Sequence, residues 1–201
     1  MFLLSAVLIG LVAGLLRAGI YRRPLQPYDL RLTWVVFFAF LPQLFAFVLP
    51  TKATFPDSLA PAALVISQAG LLIFALANLN IPGFWLLSLG LILNLTVILF
   101  NGGSMPISPE TVSTIFPDMQ AGAMVTGERL GTGKDILLAV EQTRFWALSD
   151  RFLVPYGPGY YVAFSPGDAI VAIGIIAALW AIGSPSTAGV PAKTGQQPGG
   201  N

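Results

Sequence analysis

Residues 83–100 read GFWLLSLGLILNLTVILF, eighteen positions without a charged side chain and with Ser88, Asn94 and Thr96 as the polar interruptions. A helix rises about 1.5 Å per residue, so roughly 17–25 apolar residues cross a bilayer core of about 30 Å. The run predicts a transmembrane helix. Similar runs occupy 2–20, 32–49 and 59–79, and a shorter one occupies 166–183. The composition agrees: of 201 residues, 55% are hydrophobic and 9% charged, with mean hydropathy +0.78. Soluble domains carry about 25% charged residues, and a chain this poor in charge cannot cover its own surface with polar groups. The first run lacks a preceding basic region and is too long for a signal-peptide core, so it reads as a helix that stays.

The predicted fold is all-α, a polytopic membrane bundle of about five transmembrane helices. Residues 1–183 form one membrane domain, with an outer segment over 101–163 between helices 4 and 5. The tail, 184–201, is rich in Gly and Pro and is expected to be flexible. Pro50, Pro56, Pro61 and Pro82 fall at run ends, whereas Pro42 lies inside the second run and predicts a kink. Arg17, Arg22, Arg23 and Arg31 flank the first loop, against Lys52 and Asp57 in the second. The positive-inside rule then puts the N-terminus and segment 101–163 outside the cell and the C-terminus in the cytoplasm.

Residue types bound the chemistry. The chain has no Cys and no His, so no disulfide, thiolate or imidazole metal site, or His-ligated haem is expected, and no cofactor is assigned. A net charge of +1 offers no basic patch for nucleic acid. The expected partners are the lipid bilayer and other membrane subunits. Gly10 and Gly14 in the first helix, and Gly174 and Ala178 in the last, stand four apart. Such spacing lets backbones approach closely, either within one bundle or against another subunit.

Within the outer segment, Ser108-Pro109-Glu110 starts a short helix that Pro117 ends. Over 134–148, Ile136, Leu137, Val140, Ala147 and Leu148 fall largely on one helical face, predicting a second, surface-lying helix. Residues 156–161, YGPGYY, read as a turn with interface aromatics. Gly131-Thr132-Gly133-Lys134 is no phosphate loop, because Asp135 follows the lysine and the upstream glycine is missing.

Three polar clusters lie at the predicted outer boundary: NGGSMP at 101–106, SDRF at 149–152 and FSPGD at 164–168. Asn101, Gly102 and Gly103 read as a helix C-cap or a ligand-binding turn, with Pro106 closing the motif. Ser165, Pro166 and Asp168 have the form of a capping box. Asp150 can pair with Arg151 or Arg144.

In this order, NGGSMP, SDRF and FSPGDAIVAIG resemble a family of uncharacterised bacterial polytopic membrane proteins. That resemblance covers most of Asn101 to Gly174 and implies a bacterial cytoplasmic-membrane location, but brings no activity. A weaker resemblance is to lipoprotein signal peptidase, an aspartyl peptidase whose last helix starts with a similar Phe, Asp and Gly register. Asp150 lies 18 residues before Asp168, and the resemblance implies a catalytic pair at those two positions. The order of parts departs from that family, because no membrane helix separates Asn101 from Asp150. Two functions are thus expected: a non-catalytic accessory subunit of a larger membrane complex, or a membrane aspartyl peptidase using Asp150 and Asp168.

Overall fold

The computed structural model describes residues 2–22, 24–25, 27–49, 54–118 and 125–183. Arg23, Pro50, Lys52 and the tail 184–201 lie outside the described residues. The apolar runs fold as α1 (Phe2–Ile20), α2 (Thr33–Gln43), α3 (Ala60–Ala77), α4 (Phe84–Phe100) and, after the short α5 (Pro109–Ile115), α6 (Pro166–Ile182). By length and apolarity α1 and α3 can cross a membrane; α2 with its extension, α4 and α6 are apolar but shorter. Pro42 removes a donor inside α2. The chain continues as a π-helical turn over Leu44–Val48, closed by Leu49 N–H to Leu44 O at 2.9 Å.

Close packing runs α1–α6–α4–α3–α2, each helix against the next. The helices therefore stand in a row one helix thick rather than in a closed bundle. Glycine makes the seams. A Cβ on Gly14 would strike Leu179 O, and one on Gly10 would come within 3.0 Å of Ile176 Cα. On the other side of α6, Gly174 and Gly167 meet Gly83 and Gly90 of the α4 strip. Ala178 is buried and its carbonyl accepts from Tyr28 Oη at 3.1 Å. Gly10, Gly14, Gly174 and Ala178 are thus consumed inside the chain. A second subunit would have to use other surfaces, such as the exposed Trp34, Phe37 and Phe38 of α2.

α1 and α6 run parallel: Phe2 stacks on Phe164 at 4.5 Å at one end, and Arg17 lies over Trp180 at the other. α4 runs against them, since Gly83 meets Gly174 while Gly90 meets Gly167. Asn78 locks the opposite end of the row. Fully buried, it donates to Phe74 O (2.8 Å) and Arg31 O (2.9 Å) and accepts from Arg31 N–H (2.8 Å). It binds the α1–α2 connection to the end of α3. Asn78→Leu orphans both Arg31 backbone groups and is expected to cost about 2–3 kcal/mol, read from unfolding in detergent.

Segment 101–164 corrects the all-α expectation. β1 (Met105–Ile107) pairs in parallel with β2 (Asp135–Leu137), and β3 (Phe152–Gly157) pairs antiparallel with β4 (Tyr160–Phe164). The hairpin follows from its residues: aromatic and β-branched strands flank Gly157 and Gly159, both at positive φ. The helix expected over 134–148 is absent. Ile136 and Leu137 instead join β1, 3-10 turns follow at Val140–Gln142 and Trp146–Leu148, and Phe145 sits at φ 56°. Asn101 decides this locally, because its side chain takes both Arg144 N–H and Arg144 O, at 2.9 Å each. Those groups are then lost to a helix ladder.

The strands and α5 form a cap with a small core of Ile107, Val112 and Leu137. Arg129 clamps it to the helix row. Its guanidinium meets Asp57 at 2.8 Å, donates to Ala46 O at 3.3 Å and lies over the Phe47 ring.

Candidate functional site

The three polar clusters meet where the cap sits on α4 and α6. Asn101 caps α4 and also donates to Val97 O. Gly102 and Gly103 take φ 73° and 85°, and Gly103 N–H closes on Ile98 O at 2.8 Å. The motif is therefore a helix terminator. Pro106, fully buried in β1, accepts from Asp150 N–H at 3.2 Å, which fixes the SDRF segment against NGGSMP.

At the start of α6, Ser165 and Asp168 form a reciprocal capping box behind Pro166. Asp168 N–H donates to Ser165 Oγ at 2.9 Å. Asp168 Oδ1 also accepts from Asn94 Nδ2 at 2.8 Å, while Ser165 Oγ donates to Asn94 Oδ1 at 2.8 Å. The box thus doubles as the joint between α4 and α6. Gly167 lies against Asn94, with no room for a Cβ. Ser165→Ala removes both the cap and one arm of this buried network. The expected loss is about 1–2 kcal/mol in detergent unfolding, with Ser165→Thr recovering part of it.

Asp150 finds a partner that the sequence reading did not assign. Arg151 stacks on Trp146, 3.8 Å from the ring centre, and Arg144 is held through its backbone by Asn101. Asp150 Oδ2 instead accepts from Lys134 Nζ at 2.6 Å, and Lys134 also meets Asp135 Oδ1 at 2.8 Å. Lys134 reaches this position because its carbonyl accepts from Met105 N–H as β1 and β2 pair. No motif marks Lys134 or Asp135, since strand pairing alone brings them beside Asp150.

Asp150 is 2% exposed, and its Oδ1 is buried with no hydrogen-bond partner. Burial pushes its carboxyl up, to about 7, against the pull of Lys134, and Asp135 and Asp168 push the same way. Burial works to lower the Lys134 pKa, but the charges of Asp135 and Asp150 outweigh it and hold the ammonium above its ordinary value. Asp150 and Asp168 are within electrostatic reach of each other but bind different partners.

Lys134, Asp135 and Asp150 line one part of a cavity of about 440 Å³ within the cap. Ile107, Ile115, Phe116 and Leu130 line it elsewhere. Among the described residues, no three acidic side chains are grouped closely enough to hold a metal ion.

The chain is mostly helical with a small mixed cap, and its α1 and α3 are long and apolar enough to cross a membrane. Over residues 27–180 it matches the model of DUF5317, a family of unknown function, and it belongs to that family. The match agrees with the expectation of an uncharacterised family. No curated protein and no solved structure matches the chain.

Proposed function

We propose that the protein crosses the bacterial cytoplasmic membrane five times, with its N-terminus and cap outside, and serves as a non-catalytic accessory subunit of a larger membrane complex. The observation that carries this reading is the row of helices one layer thick. Its helices expose apolar side chains such as Leu16, Phe37, Ile66 and Trp85, which suits lipid on part of the surface and a neighbouring subunit on the rest. Alternating helix directions, with Arg17, Arg22 and Arg31 at the end away from the cap, suit five crossings and this orientation. The chain has no cysteine, so single Cys variants at exposed Tyr21 and Glu141 test the sidedness. A membrane-impermeant maleimide should label Glu141→Cys in intact cells and leave Tyr21→Cys unlabelled. Purification from native membranes in mild detergent should give a particle well above 21.3 kDa plus its micelle. A chain that runs alone would sink the accessory role.

The second reading, a membrane aspartyl peptidase, is favoured by one observation: the Asp150 carboxyl lies near neutrality with Asp168 in electrostatic reach. It requires Asp150→Asn and Asp168→Asn each to abolish cellular function while the protein stays folded. Full function in both variants would end it.

A further inference from the structure

Arg151 is held in place without an acid. Its guanidinium lies 3.8 Å from the Trp146 ring centre and 5.2 Å from that of Phe152. Among the described residues its side chain enters no ion pair. A guanidinium braced on an aromatic face keeps its N–H edge for a planar or tetrahedral anion, and it carries little of the entropy cost of being ordered. The charged residues from 144 to 164 are Arg144, Asp150 and Arg151. Asp150 is buried against Lys134, so the surface of this stretch carries two cations and no acid.

The same stretch lies at the cap ends of the helices. Phe145, at φ 56°, sets its ring 5.1 Å from that of Phe100, the last residue of α4, and both rings are half exposed. A bulky side chain in the left-handed region is strained, and strain of this kind gathers where a surface is shaped for contact. Beyond Arg151 the chain enters β3, where Phe152 packs on Phe164 and Phe164 stacks on Phe2 of α1. Further along β3 the Tyr156 and Ser5 hydroxyls share a hydrogen bond. The hairpin thus lies beside the first turns of α1, with exposed Tyr160 next to its turn.

We infer that Arg151 receives the phosphate of an anionic phospholipid in the cap-side leaflet, with the β3–β4 hairpin lying at headgroup depth beside it. This rests on the membrane-crossing reading proposed above. The charge argues for an anionic head group, because two cations stand without an acid. The apolar rings around them argue for a lipid, since Leu99 and Phe100 are exposed below the site and can carry acyl chains. Tyrosine and tryptophan rings belong at this depth, where one end of the side chain meets hydrocarbon and the other meets water. The guanidinium donates charge-assisted hydrogen bonds to the phosphate oxygens.

Native mass spectrometry of the full chain in neutral detergent tests the inference, with phosphatidylglycerol as the probe and diacylglycerol of the same chains as comparator. Phosphatidylglycerol should bind about tenfold or more tightly than diacylglycerol. Arg151→Gln should weaken phosphatidylglycerol about tenfold and leave diacylglycerol unchanged. Unchanged phosphatidylglycerol binding in this variant would overturn the site. Displacement of the lipid by an equal concentration of inorganic phosphate would make the site one for a free anion and overturn the assignment to lipid. If Arg151→Gln does not fold, Trp146→Leu decides: several-fold weaker phosphatidylglycerol supports the braced arginine, and unchanged affinity overturns it. Depth is read in nanodiscs from a fluorophore on Tyr160→Cys or, midway along α3, on exposed Ile66→Cys. Nitroxide lipids labelled at the headgroup should quench the first, and those labelled on the acyl chain the second. Quenching at Ile66→Cys alone overturns the inference and leaves the membrane-crossing reading standing. Quenching at neither position removes that reading and the inference with it.

Discussion

Lys134→Met is expected to destabilise the protein by about 3 kcal/mol near pH 8, through Asp150 rather than through any contact of the new side chain. Breaking a buried pair leaves an uncompensated charge, at a cost of about 3–5 kcal/mol. The lower end applies because the Lys134 side chain is 41% exposed. The pH dependence follows from the raised Asp150 carboxyl. A carboxyl whose folded pKa exceeds its unfolded value favours the folded state fully below about 4, and that contribution fades as pH rises through the folded value. In the native protein the window closes near 7; in the variant, without Lys134, it extends higher. The deficit of Lys134→Met should therefore be smallest and level below about pH 7 and grow above it, where the native carboxyl ionises beside Lys134 and the variant's stays protonated. Unfolding in detergent, followed by tryptophan fluorescence across that range, measures it. A deficit independent of pH would mean that Lys134 stabilises the fold by packing alone.

Gly83→Ala is expected to be at least as damaging, and for a different reason. Gly83 opens α4 at φ 86°, a conformation that L side chains rarely adopt. A Cβ there would strike Gly174 O and come within 2.8 Å of Ala178 N, both on the α6 backbone. Backbone strain costs about 1–3 kcal/mol and overpacking about as much again, so a total of roughly 3–5 kcal/mol is expected. Gly102→Ala is the matched control. Its φ is 73° but nothing lies within 4 Å of the added carbon, so only strain, about 1 kcal/mol, should appear. If the two variants lose stability equally, the α4–α6 seam does not depend on close backbone approach.

Much of the candidate site could be read from local sequence because caps are local. Ser165-Pro166 with Asp168 three residues on, and Asn101 followed by two glycines, state their own hydrogen bonds within one turn of helix. Asn94 is different. As a lone amide in an apolar run it reads as packing glue, and only the approach of α6 makes it the partner of both Ser165 and Asp168. Lys134 is more distant still. A 3.6-residue pattern over 134–148 predicted a helix, yet Ile136 and Leu137 lie in a strand of three and Val140, Ala147 and Leu148 in 3-10 turns. The choice was made by β1 and by the side chain of Asn101, which are 28 or more residues away in sequence.

The sequence by itself determined where the apolar helices run, because long stretches without charge and bounded by Pro and Gly favour helix, which satisfies its own backbone hydrogen bonds. It also determined where those helices are capped, because Ser, Asn, Pro and Gly act on groups within a few residues. Only the tertiary structure decided that the helices stand in a row, that the paired small residues are consumed within it, and that Asp150 faces Lys134. Each of those depends on contacts between segments far apart in the chain. Periodicity records which residues are apolar, but not which neighbour will cover them.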